Sequence, residues 1–79
     1  MATATIPHMT EVKSTNLHSI GHDGSAMYIR FRGAGGAPGS LYRYPTAGVD
    51  VHDALLGSFS PGRHFQNVIK AAHRGEKVG

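Results

Sequence analysis

Asp23-Gly24 stands in the middle of the run LHSIGHDGSAMYIRFR, residues 17–32, and narrows the fold more than any other feature of the chain. Both residues tolerate positive φ, so the pair predicts a type I′ turn between two antiparallel strands. After it Met27, Ile29 and Phe31 alternate with Tyr28, Arg30 and Arg32. A period of two predicts one buried face and one wet face. Because an isolated hairpin is at best marginal in water, more of the chain must pack on it. SLYRYP supplies a third strand, closed by Pro45, which has no N–H for a ladder. On that strand Tyr42 and Tyr44 share one side, Leu41 and Arg43 the other. Arg43 is the least suited of the four to unpaired burial, so the tyrosines are expected inward and Arg43 outward.

Two helices are expected next. In VDVHDALLGS, Val51, Ala54 and Leu55 fall at helical spacing, with Asp50 or Thr46 available as a cap and Gly57 as the stop. In SPGRHFQNVIKAAHR, Ser60 is a good N-cap and Pro61 suits the first helical position. Phe65, Val68, Ile69 and Ala72 form the expected core stripe and Gly75 the expected end. The predicted fold is therefore α+β: a three-stranded antiparallel meander with two C-terminal helices packed on one face. Residues 1–10 are expected to be a flexible tail, residues 11–74 a single domain, and residues 75–79 a frayed end. Met9 is a second candidate start, which would make the first eight residues an extension.

At 79 residues the core must be thin, since such a chain buries only about 60–65% of its unfolded surface. There is no cysteine, hence no disulfide framework, thiolate metal site or thiol nucleophile. No apolar run reaches the ~20 residues that span a bilayer, and no signal-peptide pattern opens the chain, so a cytoplasmic location is expected. The glycine-rich stretch GAGGAPGS, 33–40, invites comparison with a phosphate-binding loop. Such a loop runs from a strand into a helix, whereas this one leads into LYRYP and lacks the Lys-Ser/Thr pair. It is expected to be a mobile hairpin tip, with Gly33, Gly35, Gly36 and Gly39 available to probe a partner groove.

Six histidines raise the question of a metal. His18 and His22, four apart on a strand, lie roughly 13 Å from each other. His64 and His73 fall on opposite sides of the second helix. No ligand set with metal spacing results, and neither metal nor cofactor is expected. No serine sits in a nucleophile elbow and no pair of carboxylates is convincing, so no catalytic residue is assigned and enzymatic activity is not expected.

The charge distribution carries more. The formal charge is +3, with −1 over residues 1–27, +3 over 28–44, −2 over 45–60 and +3 over 61–79. Two basic blocks favour an acidic partner, either nucleic acid or an acidic protein surface. Tyr28, Arg30, Arg32 and Arg43 should share the wet face of the sheet, where arginine forks suit phosphates and an exposed ring suits a base. Arg63, Asn67, Lys70 and Arg74, spaced 4, 3 and 4, should line the outer face of the second helix. The expected function is a non-enzymatic module that binds RNA or single-stranded nucleic acid through Tyr28, Arg30, Arg32, Arg43, Arg63, Lys70 and Arg74. The alternative is a protein inhibitor that binds an acidic surface of a nucleoprotein machine such as RNA polymerase or a CRISPR effector. An open sheet edge also allows a homodimer.

The order of these pieces resembles the KTSC domain, a short bacterial and phage module also found at the C-terminus of some lysyl-tRNA synthetases. The matching stretches are VKST (12–15), IGHD (20–23), MYIRF (27–31), YRY (42–44) and ALLGSFSPGRHFQNVIK (54–70). Within them Tyr42, Tyr44, Ser60, Gly62 and Phe65 carry the Tyr-x-Tyr and Ser-x-Gly-x-x-Phe motifs. The chain departs from the family pattern in its enlarged glycine-rich loop, and in Val49-Asp50 where Val-Pro is usual. The resemblance implies an α+β domain with no established catalytic role, for which RNA binding has been suggested; because such stand-alone domains occur on phages and mobile elements, it also implies the alternative of an inhibitor of a host nucleoprotein machine.

Overall fold

The computed structural model describes residues 7–79. Most of the expected tail, residues 1–6, lies outside the described residues. The strands are β1 (Thr10–Glu11), β2 (Leu17–His22), β3 (Met27–Arg32), β4 (Pro38–Tyr44) and β5 (Glu76–Lys77), in one antiparallel sheet of order β1-β2-β3-β4-β5. The three-stranded meander is therefore the centre of a five-stranded sheet. The two added strands are two residues long and carry no apolar alternation, which is why a periodicity argument passes over them. The same observation corrects the frayed C-terminus. Arg43 pairs with Glu76 and Tyr42 with Lys77, while Leu41 N–H donates to Gly79 O at 3.0 Å.

The turn between β2 and β3 also differs from expectation. Gly24 has φ +95°, but Asp23 keeps negative φ, so the type I′ geometry is not adopted. The Asp23 side chain closes the turn instead, its Oδ1 accepting from Ser25 N–H at 2.7 Å and Ala26 N–H at 2.8 Å. The hydrogen bonds from Ala26 and then Ser25 hold this carboxyl below its ordinary range.

Helix α1 (Val49–Leu56) follows β4, and Pro61–His64, Phe65–Ile69 and Lys70–Ala72 run on as one helical segment, α2. Both helices lie on one face of the sheet and bury Leu55, Phe65 and Ile69 against Leu17, Ile20, Met27, Ile29 and Tyr44. On α1 neither Asp50 nor Thr46 caps; Gly48 stands at the N-cap, and Ala54 is exposed. Ser60 and Pro61 start α2 as expected, although the Ser60 hydroxyl makes no capping bond.

The middle of α2 is a π-helical turn, in which Lys70 N–H donates to Phe65 O. Widening the turn keeps Phe65 and Ile69 on the core side and rotates the other stripe positions away. Val68 is 51% exposed and Ala72 is exposed, contrary to the four-residue stripe. The helix ends at Ala72, with His73 already extended, so Gly75 does not terminate it. No described helix is long and apolar enough to cross a membrane.

The other face of the sheet is not wet. Ala26, Tyr28 and Leu41 form a second small core, with Met9 packed against it. Its cover comes from segments that local periodicity cannot see. Residues 7–9 lie so close over Gly21, the partner of Tyr28 in the ladder, that a Cβ at Gly21 would stand 2.6 Å from His8 O. At the other end Gly79 lies beside the Leu41 side chain, where a Cβ on Gly79 would stand 3.4 Å from Leu41 Cβ.

Candidate functional site

Tyr28, expected as an exposed stacking surface, is 6% exposed and offers no ring face to a ligand. The sheet arginines stand on neighbouring strands, and each has an internal acceptor. Arg30 Nη1 donates to Gly39 O at 2.8 Å. Arg32 donates from Nε to Ser14 O at 2.6 Å, from Nη2 to Val12 O at 3.0 Å and from Nη1 to Gly36 O at 2.9 Å. Arg43 Nη1 meets Glu76 Oε1 at 3.0 Å. The Glu76 hydrogen bond, then that of Tyr28, raises the Arg43 pKa above its ordinary value. These guanidinium groups tie the first loop, the glycine-rich loop and β5 to the sheet. They are not an open platform.

The glycine-rich tip is exposed but holds a defined turn. Ala34–Gly36 form a 3₁₀ turn, with Gly33 N–H donating to Ala37 O at 2.6 Å and Ala37 N–H to Ala34 O at 3.3 Å. Gly35 and Gly36 have φ of +67° and +80°, which favours glycine in both places. Gly33 and Gly39 stand at its base, where they border the groove described next.

Between α2 and the β3–β4 hairpin runs a groove of about 670 Å³. Its floor is aromatic: Phe31 stacks edge-on against Tyr42 at 5.4 Å and against Phe65 at 5.3 Å, and Tyr44 against Phe65 at 5.9 Å. Phe31 and Tyr42 are only partly buried, so their rings reach the groove surface. Its rim carries Arg32, Lys70, His73 and Arg74, and no carboxylate lines it. Lys70 and Arg74 are exposed, and neither pairs with an acid among the described residues. A flat aromatic group can stack on this floor while an attached anion meets the rim.

The two tyrosines of YRY thus have different surroundings. Tyr44 is 4% exposed and belongs to the core; burial, with Tyr42 adding to it, pushes its phenol up to about 12. Tyr42 opens onto the groove. Both project to the helix side, as the Arg43 argument predicts, while Arg43 lies on the other. Ser60 and Gly62 stand at the start of α2 beside a second cavity that also contains Arg63. Reading one strand at a time missed the groove, because its floor draws on β3, β4 and α2 together.

The histidines behave individually. His22 and His52 approach to 5.9 Å between ring centres, a pairing that their separation in sequence hides. Both ring nitrogens of His22 are engaged, Nδ1 accepting from Gly24 N–H at 2.9 Å and Nε2 donating to Ala47 O at 2.8 Å. That pattern leaves His22 without a free lone pair for a metal. Among the described residues no three His, Asp or Glu side chains gather as a metal site.

Comparison with known proteins agrees with this architecture. A KTSC domain protein from Yersinia pestis, known from its crystal structure, superposes with a TM-score of 0.76 at 30% sequence identity, covering 91% of this chain and 97% of that one. An uncharacterized protein of Stutzerimonas stutzeri (strain A1501) is 37% identical over 62 residues, 78% of this chain and 83% of its own length. The family model for the KTSC domain matches residues 13–73, from the lead into β2 to the end of α2. The chain belongs to the KTSC domain family.

Proposed function

We propose that this protein is a non-enzymatic module that binds RNA or single-stranded nucleic acid in the groove between α2 and the β3–β4 hairpin. One observation carries the reading: an aromatic floor of Phe31 and Tyr42, backed by buried Phe65, under a rim of Lys70 and Arg74, with no acid among the lining residues. A base stacked on a ring contributes about 1–3 kcal/mol, and its tolerance of sequence suits a site with few directional donors. A duplex keeps its bases stacked on one another and cannot present a face to the floor, so single strands are preferred.

Anisotropy titrations with labelled single-stranded RNA, single-stranded DNA and duplex DNA at two salt concentrations test this. Single strands bind tighter than duplex, with a slope of log K on log salt near −0.7 for each phosphate contact. Lys70→Ala with Arg74→Ala weakens binding and flattens the slope. Absence of binding at low salt overturns the reading. The second reading, an inhibitor seated on an acidic surface of a nucleoprotein machine, is favoured by Phe59, whose side chain is fully exposed between the helices. Loss of such a protein complex on Phe59→Ala, with nucleic acid binding absent, would select it.

A further inference from the structure

A second cavity, of about 490 Å³, lies beside the groove, with Lys13, Asn16, Ser60 and Arg63 among its lining residues. Gln66 lines both cavities. The two also meet over one guanidinium group, since Arg32 borders the groove and its Nε bonds the carbonyl of Ser14, which borders the second cavity. Along this path stand Arg74, Lys70, Arg32, Arg63 and Lys13. All five acids of the chain (Glu11, Asp23, Asp50, Asp53 and Glu76) lie outside both linings. The aromatic rings are confined to the groove; the side chains that line the second cavity are cations, amides and hydroxyls, with Gly62 beside them.

We infer that the two cavities form one continuous track for a single strand several nucleotides long, with a base in the aromatic groove and a backbone phosphate seated between Lys13 and Arg63. This rests on the proposed reading of the groove and extends it to the length and polarity of the ligand. A lone nucleotide fills the aromatic end and leaves Lys13 and Arg63 unused. A longer strand neutralises both ends, and the absence of any carboxylate along the path removes the repulsion that would stop it. Arg63 and Lys13 are exposed and form no ion pair among the described residues, so replacing them leaves the fold in place.

The experiment compares a labelled dinucleotide with a labelled octanucleotide of the same base, RNA in both cases, against wild type and Lys13→Ala/Arg63→Ala. The octanucleotide is expected to bind wild type more tightly than the dinucleotide. The double variant weakens the octanucleotide alone, and its salt slope becomes shallower by about 0.7, the contribution of one phosphate contact to a single strand. An unchanged octanucleotide affinity and slope in the variant overturns the track and leaves the groove reading standing. Failure of wild type to bind either probe at low salt overturns both.

Discussion

Gly75 lies against the ring of Tyr44, so close that a Cβ on Gly75 would stand 2.5 Å from Cε2 and 2.6 Å from Cζ. This approach lets the chain leave α2, cross the end of β4 and return as β5 beside Arg43. Tyr44 has little room to swing away, because it is 4% exposed and packs edge-on with Phe65 within the core.

Gly75→Ala should therefore destabilise the protein, by about 1–3 kcal/mol for a methyl forced into a filled space. In a domain this small the melting temperature falls by roughly 4–8 °C per kcal/mol. β5 also loosens, so amide exchange should quicken at Leu41, whose N–H is bonded to the terminal Gly79 carbonyl. An unchanged melting temperature would mean that the Tyr44 ring is not held as described.

Arg32→Lys separates a structural arginine from a merely basic one. Lysine keeps the charge but cannot reach Ser14 O, Val12 O and Gly36 O with one planar fork. The expected loss is about 1–3 kcal/mol, read as a lower urea midpoint at unchanged slope. Lys70→Ala, on the exposed rim, should shift stability by no more than about 0.5 kcal/mol. Equal effects of the two substitutions would refute the assignment of Arg32 to the frame of the protein.

Tyr44 gives the fold an alkaline limit. Its folded pKa lies near 12, above the ordinary value of 10.0, because burial disfavours the phenolate. The folded state thus holds this proton more tightly than the unfolded state does. The stabilisation is complete below about pH 10 and is lost as pH rises through the folded value near 12. Denaturation midpoints should decline across that window in wild type, and the decline should be smaller in Tyr44→Phe, which has no proton to lose. Parallel curves for the two proteins would count against burial as the cause.

The amino-acid order alone was enough to reveal the α+β class, the three central strands, the direction of Tyr42 and Tyr44, and the starting point of α2. Each follows from local rules: a period of two in MYIRF, the poor fit of Arg43 to an unpaired interior, Ser60 before Pro61. Family membership was legible too, in YRY and SPGRHF. What the tertiary structure decided depends on contacts between residues distant in sequence. Two-residue edge strands have no period to read, and a π-helical turn leaves no mark on apolar spacing until Val68 is found exposed. Tyr28 alternates as a wet residue should, yet residues 7–9 cross over Gly21 and close that face. Arg30 and Arg32 read as open cations, but carbonyls brought near by folding had already engaged them. The candidate site moved for the same physical reason: a groove is a property of the space between elements, and only packing α2 against β3 and β4 creates that space.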